Sequence, residues 1–229
     1  MNRSFDNKKR LNEQMIALRA AKELKDGWYV NLGVGIPTLI AMKMPLPDKQ
    51  IVLMSETGLL NYGRMCTPEE MKSSSWIHLD ASGAPVQTLP GMSIFNIEEA
   101  FDMIRSGKLD CTVLGGLQVS EKGDLANWRA PKMLTSIGGA MDLVTGARRV
   151  IVCMTHTTRD GEPKIVHECT HPITGKRCVK LMITDIAVIQ VMKNGLLLKE
   201  VAPGWSAEEV QQLTKPKLQV SPDLKEIEV

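Results

Sequence analysis

Glu56 is the side chain in this sequence best placed to do chemistry. It ends the run Ile51-Val52-Leu53-Met54-Ser55-Glu56-Thr57-Gly58-Leu59-Leu60, whose first five residues are mostly apolar and partly β-branched. That pattern predicts a buried strand bounded by turn residues. A carboxylate where a strand stops has four uses open to it: nucleophile, general base, ribose ligand or solvated turn residue. Open α/β sheets hold their ligands outside the carboxyl ends of their strands, so the position gives the first three real weight.

Glycine turns offer the backbone half of such a site. Gly33-Val34-Gly35-Ile36-Pro37-Thr38 follows the strand-like run Trp28 to Leu32 and opens a short helix. Glycines there let N–H groups approach a phosphate or carbonyl oxygen, and a helix amino end favours negative charge. The stretch resembles the dinucleotide fingerprint with Thr38 in place of its third glycine. Glu56 ends the next strand roughly 20 residues on, where a ribose-binding acid belongs. A nicotinamide-dependent oxidoreductase therefore stands open here, beside a plain tight βα turn. Gly115-Gly116-Leu117-Gln118-Val119 ends another strand, where N–H groups can form half of an oxyanion hole; an ordinary turn has the same look. Gly138-Gly139-Ala140-Met141-Asp142 reads either as a phosphate-facing loop or as close backbone packing, with Asp142 a first-turn acid.

One motif is discounted. His167-Glu168-Cys169-Thr170-His171 satisfies the zinc-protease pattern H-E-x-x-H letter by letter. That chemistry needs a helix to put both histidines on one face. Pro172 pushes His171 out of the helical region, Pro163 lies just upstream, and Val166, Cys169 and Thr170 are weak helix formers. The expectation is a strand or loop with surface histidines. No G-x-S-x-G elbow and no C-x-x-C pair is present.

The elements around these residues alternate. Helices are expected near Leu11–Lys25, Thr38–Lys43, Ile97–Ser106, Ala140–Thr145 and Ser206–Leu213, the last with Ser206 and Glu209 spaced as a capping box. Strands are expected at Trp28–Leu32, Ile51–Ser55, Trp76–Leu79, Val86–Leu89, Leu109–Leu114, Arg149–Thr155, Met182–Met192 and Leu196–Val201, with Asn194-Gly195 as a hairpin signal. Residues Asn61 to Ser75 read as irregular. The fold class is α/β: an open mixed, largely parallel sheet flanked by helices, with an antiparallel late edge. No long linker divides the chain, so residues 1–229 are expected to form a single domain, with 1–10 and 215–229 as flexible or extended ends.

Composition excludes several classes. The 28 basic and 26 acidic residues are mixed along the chain, net +2, with no basic stripe for nucleic acid. No apolar run reaches the roughly 18 residues of a membrane span. The polar start, Met1 to Glu13, lacks the apolar core of a secretory signal. Five irregularly spaced cysteines, two of them (Cys111, Cys153) in apolar runs, fit reduced core thiols in the cytoplasm better than a disulfide framework.

Taken together the motifs say more than any one alone. The order Val30-Asn31-Leu32-Gly33-Val34-Gly35-Ile36-Pro37, Ser55-Glu56-Thr57-Gly58, Leu89-Pro90-Gly91, Leu114-Gly115-Gly116-Leu117-Gln118-Val119, Gly123-Asp124-Leu125-Ala126-Asn127-Trp128 and Gly138-Gly139-Ala140-Met141-Asp142-Leu143-Val144 resembles family I CoA-transferases. The likeness is to the B (β) subunit of the 3-oxoacid type, the succinyl-CoA and acetate/acetoacetate enzymes. It extends through Pro172 to Val179 and covers the chain from about Met15 to Ser221. The resemblance implies that Glu56 is a covalent nucleophile working by a ping-pong route and that the Gly115 N–H helps hold a thioester oxyanion. It implies that Gly33, Gly35, Thr57, Gly58 and Gly116 border the substrate. It implies no metal and no nicotinamide, with coenzyme A as substrate. The acid that reads as a ribose ligand is then better read as the nucleophile. At this length the chain resembles half of the complete enzyme, which implies an A (α) subunit partner and an A₂B₂ or related assembly.

Two departures stand out. The family usually has Asn after the glutamate, where this chain has Thr57; and Asn61-Tyr62-Gly63-Arg64 stands where small, glycine-rich residues are usual. A hydroxyl offers less than an amide beside a carboxylate, and Tyr62 and Arg64 are candidates to narrow or charge an acyl pocket. These bear on the acyl substrate more than on the reaction. A non-enzymatic reading, a ligand-binding α/β domain with a dead site, also accommodates Thr57.

Overall fold

The structure is a computed structural model that describes residues 5, 8–44, 46, 48–73, 78–130, 133–134 and 136–229. A ten-stranded sheet dominates it. Its strands are β1 (Tyr29–Leu32), β2 (Val52–Ser55), β3 (Leu59–Leu60), β4 (Ser93–Ile94), β5 (Cys111–Gly115), β6 (Arg149–Met154), β7 (Val179–Thr184), β8 (Ala187–Met192), β9 (Gly195–Val201) and β10 (Leu218–Glu226). Their spatial order is β10-β9-β8-β7-β6-β5-β1-β2-β3-β4. The chain lays β1 to β4 outward in one direction, returns to place β5 on the other flank of β1, and builds outward again. The reversal between β1 and β5 is a topological switch point, where open sheets leave a crevice at their carboxyl ends.

The five central strands β2, β1, β5, β6 and β7 are parallel. Strands covered on both faces read as near-continuous apolar runs, and Val150 to Met154 are all buried. Helix α1 (Glu13–Ala21), capped by Asn12, packs on β6 and β7 beside α2 (Thr38–Ala41). A short helix, α3 (Pro68–Ser73), lies in the stretch expected to be irregular. Helix α4 (Ile97–Arg105) packs against α5 (Ala140–Gly146), which lies against β5. Helix α6 (Ala207–Gln212) carries the expected capping box between Ser206 and Glu209. A capping box also starts α4, between Asn96 and Glu99.

One local expectation changes and two are sharpened. The run expected as one strand from Met182 to Met192 is two, β7 and β8, paired antiparallel. The Thr184 hydroxyl oxygen accepts the N–H groups of Ile186 (3.3 Å) and Ala187 (2.9 Å) and so makes a turn without glycine, asparagine or proline. The tail after Lys215 is extended: β10 pairs parallel with β9 and buries Leu218, and Ile227 just beyond it is buried too. Of the strand expected at Trp76–Leu79, residues 76–77 lie outside the described residues; His78–Leu79 pairs with Pro85–Val86 around Gly83. His167 to His171 form no helix, and the exposed His167 meets Glu121 at 2.9 Å.

Candidate active site

Backbone pairing brings the expected site residues together at the carboxyl ends of β2, β1 and β5. Asn31 on β1 is level with Met54 on β2 and with Thr112 on β5. Glu56 lies two residues past Met54, Gly33 two past Asn31, and Gly115 three past Thr112. Two strand spacings separate the β2 and β5 backbones, about 10 Å. The Glu56 side chain spans part of that gap, because Asn31 Nδ2 donates to Glu56 Oε2 at 2.9 Å. The carboxylate thus leans over β1, toward the Gly115 side.

Asn31 is fully buried. A buried amide is costly unless its groups are satisfied, and here all are engaged. Nδ2 also donates to the Met54 carbonyl (3.2 Å), and Oδ1 accepts from the Thr112 hydroxyl (3.1 Å), which is itself fully buried. A chain Thr112–Asn31–Glu56 therefore runs across three strands to one carboxylate oxygen. The other oxygen, Oε1, faces the amino end of α5. A Cβ built on Gly139 would stand 3.6 Å from Oε1 and 3.0 and 3.2 Å from two ring atoms of Phe101 on α4. Gly138-Gly139 is thus a wall of the site, and of the two readings its sequence allowed, close packing at Gly139 has direct support.

The turn that follows β2 fixes the position of Glu56. Gly58 has φ +93°, and a Cβ there would collide with the Phe95 carbonyl oxygen. No other residue fits both conditions. Phe95 N in turn donates to the Gly58 carbonyl (3.0 Å), which ties the turn to the start of α4. The Thr57 hydroxyl donates to the Leu79 carbonyl (3.2 Å) and accepts from Ser55 Oγ (2.8 Å). It braces the turn; the residue itself is exposed.

The glycines differ in what they do. Gly35 needs its φ of +95° but has open space where a side chain would go. Gly33 packs against Leu114, and its N–H donates to the Val113 carbonyl (2.8 Å). Gly116 packs against Val152 and Met154, so its missing side chain is explained by packing. Gly115 faces the Val34 carbonyl oxygen, which would stand 3.7 Å from a built Cβ, an ordinary contact, so packing does not demand glycine there.

Tyr62 is buried, and its phenol is pushed well above the usual range by burial first and by the negative charges of Asp80 and Glu56 second. Arg64 does not project a free charge: its guanidinium grips Glu70 at 3.0 and 2.7 Å, and that contact first, then the Thr67 N–H, holds the Glu70 carboxyl down to about 2. A cavity of about 460 Å³ lined by Tyr29, Met54, Leu60, Ile104 and Leu109 includes none of the expected site residues.

Sequence reasoning did not single out Asn31 or Thr112. The usable signal was a polar amide inside a short, otherwise apolar strand, a residue type depleted in strands and tolerated in a core only with partners.

Comparison with known proteins follows the same lines. Residues 13–213 match the Coenzyme A transferase family. The chain is 44% identical over 208 residues to the B subunit of succinyl-CoA:3-ketoacid coenzyme A transferase from Helicobacter pylori, covering 90% of this chain and 98% of that one. It is 41% identical over 213 residues to the beta subunit of acetate CoA-transferase from Escherichia coli, covering 93% and 95%. Among solved structures, the acyl-CoA transferase YdiF apoenzyme of Escherichia coli O157:H7 superposes with a TM-score of 0.74 at 25% identity, over all of this chain and 46% of the longer YdiF chain. With the parallel sheet, its switch point and these matches agreeing, the chain belongs to the coenzyme A transferase family.

Proposed function

We propose that this chain is the B subunit of a heteromeric CoA-transferase that moves CoA between a short-chain acyl- or 3-oxoacyl-CoA and a carboxylic acid, with Glu56 as covalent nucleophile. The observation that carries the assignment of Glu56 is its geometry: a partly buried carboxylate at the switch point, one oxygen held by a buried amide and the other turned toward Gly139 at the amino end of α5. A Glu56 oxygen attacks the thioester carbonyl carbon, the C–S bond breaks, and CoA leaves as thiolate from an acyl-glutamyl anhydride. The thiolate then attacks the glutamyl carbonyl of that anhydride. The anhydride C–O bond breaks, the first acid departs as carboxylate, and a glutamyl-CoA thioester remains. The acceptor carboxylate reverses both steps. Gly115 is assigned to the oxyanion through its N–H; Gly33, Gly35, Thr57, Gly58 and Gly116 border the substrate. The cycle draws on no metal and no nicotinamide.

The relatives are named as B or beta subunits, which supports an A-subunit partner and a hetero-oligomer such as A₂B₂. No helix of the described residues is long and apolar enough to cross a membrane. Five free cysteines support assembly in the reducing cytoplasm. The oxidoreductase reading is not favoured, because the matching relatives are CoA-transferases. With Thr57 and Asn61-Tyr62-Gly63-Arg64 departing from the usual pattern, the acyl substrate need not be acetoacetate, and a panel of short acids in which acetoacetate turned over fastest would refute that reading.

The test is chemical. The chain is assembled with its A subunit, incubated with an acyl-CoA, reduced with borohydride and weighed. Reduction of a glutamyl thioester to the alcohol gives a defined mass loss on the peptide containing Glu56, and Glu56→Ala abolishes both that loss and turnover. A wild-type enzyme that turns over with no mass change under any acyl-CoA would sink the covalent assignment.

A further inference from the structure

We propose that Thr112 is a positioning residue of the reaction: acting through Asn31, it fixes the Glu56 carboxylate in its attacking orientation. The proposal rests on Glu56 being the nucleophile.

Three facts converge. Thr112 and Asn31 are cross-strand partners on β5 and β1, and each is 0% exposed. Nδ2 of Asn31 spends one hydrogen on the Met54 carbonyl and the other on Glu56 Oε2. Oδ1 is left with the Thr112 hydroxyl at 3.1 Å. An amide is nearly symmetric in shape, so only its partners decide which end points where. Turned over, Asn31 would set Oδ1 against two acceptors, the Met54 carbonyl and the carboxylate. The Thr112 O–H is the donor that secures the end opposite the nucleophile.

The fold alone gives no reason for that hydroxyl. Position 112 lies inside Cys111-Thr112-Val113-Leu114, a fully buried central strand. Valine would fill the same shape without burying a polar group, and replacing both members of a buried polar pair by apolar groups of like shape is close to neutral for stability. The Thr112–Asn31 pair becomes intelligible when its far end is counted: it delivers one N–H to a carboxylate oxygen and holds the carboxylate plane. A group held within a fraction of an ångström reacts far faster than one that wanders.

The experiment compares Thr112→Val, which keeps the shape and drops the donor, with Thr112→Ser, which keeps the donor and drops a methyl. Both are assembled with the A subunit, then followed in single turnover, reading the rate of glutamyl-CoA formation, alongside steady-state kcat and KM. In Thr112→Val the adduct rate and kcat are expected to fall about tenfold, the scale of one lost hydrogen bond, with KM for acyl-CoA within about twofold. Thr112→Ser stays near wild type. Thr112→Cys, close in size with a weak S–H donor, falls between them and carries the comparison if Thr112→Val does not fold. The proposal is overturned if the hydroxyl-free or thiol variant forms adduct at the wild-type rate, or if Thr112→Ser loses as much as Thr112→Val. Glu56→Gln separates the two layers. If it keeps full activity, the nucleophile assignment fails and takes this proposal with it; if it is dead while Thr112→Val is unimpaired, only the role of Thr112 fails.

Discussion

At the scale of single residues, the space around Glu56 is set by absent side chains as much as by present ones. Gly139 has ordinary backbone angles (φ −82°, ψ 5°), so alanine is conformationally allowed there. Its methyl would nevertheless press on the Phe101 ring and stand close to Oε1. Gly139→Ala is therefore expected to fold, at a cost of about 1 kcal/mol from crowding, and to lower kcat on the order of tenfold by shifting the carboxylate or crowding Oε1. Thermal melts and steady-state kinetics on the assembled enzyme check this; unchanged kcat would show that Oε1 is not the face that reacts. The residue scale is also where sequence and structure diverge most. Glu56 stood out because its neighbours spelled a strand end. Asn31 did not, because its value lies in what stands beside it on β2 and β5, and lateral pairing is not visible along one strand. Arg64 illustrates the converse: its charge was legible, but the Glu70 carboxylate that occupies it lies in a short helix the local pattern had concealed.

At the scale of elements, α1 is held to the sheet by charge as well as by apolar burial. Arg19 meets Glu200 on β9 through two contacts of 2.7 Å, and both side chains are buried. Glu23, in the turn just past α1, joins at 2.9 Å and reaches Arg149 on β6 at 3.1 Å. Removing one member of such a pair strands the other charge. Arg19→Leu is expected to destabilise by roughly 3–5 kcal/mol, whereas Arg19→Leu with Glu200→Leu recovers most of that loss. Urea melts of the two variants decide it, and a cost below about 1 kcal/mol for the single change would count against the pair. Most element positions were legible, since continuous apolar runs, capping signals and glycine turns are local. The division of β7 from β8 was not, because a threonine hydroxyl makes that turn, and Thr184-Asp185 is its only polar break between two apolar runs, without glycine or proline. Nor was β10: a polar stretch shows no periodicity when most of one edge strand faces solvent.

At the scale of the whole molecule, one buried histidine sets an acid limit. His156 is fully buried between Thr184 (Nδ1, 3.0 Å) and Thr214 (Nε2, 2.9 Å). Burial pulls its pKa down to about 4, against a lesser pull upward from Asp185, while Arg10 and Lys164 push the same way as burial. In the unfolded chain the value is about 6.5. The folded state thus resists a proton that the unfolded state accepts, so the contribution is complete above pH 6.5 and is lost as pH falls toward 4. From this residue alone the protein is expected to be about 2 kcal/mol less stable at pH 5 than at pH 7.5. Denaturant titrations at the two pH values, with His156→Gln as the variant that removes this slope, test it; an unchanged slope in the variant would assign the acid sensitivity elsewhere.

The sheet also has to stop somewhere. Beyond β9 lies β10, and Pro222 within it has no N–H to offer an arriving strand, while Asp223, Lys225 and Glu226 stand exposed along it. An open row of backbone donors and acceptors invites another chain to add on, and proline and charge discourage it. β10 therefore acts as a selvedge: it finishes the weave on the side away from Glu56 and discourages a partner from docking there by extending the sheet.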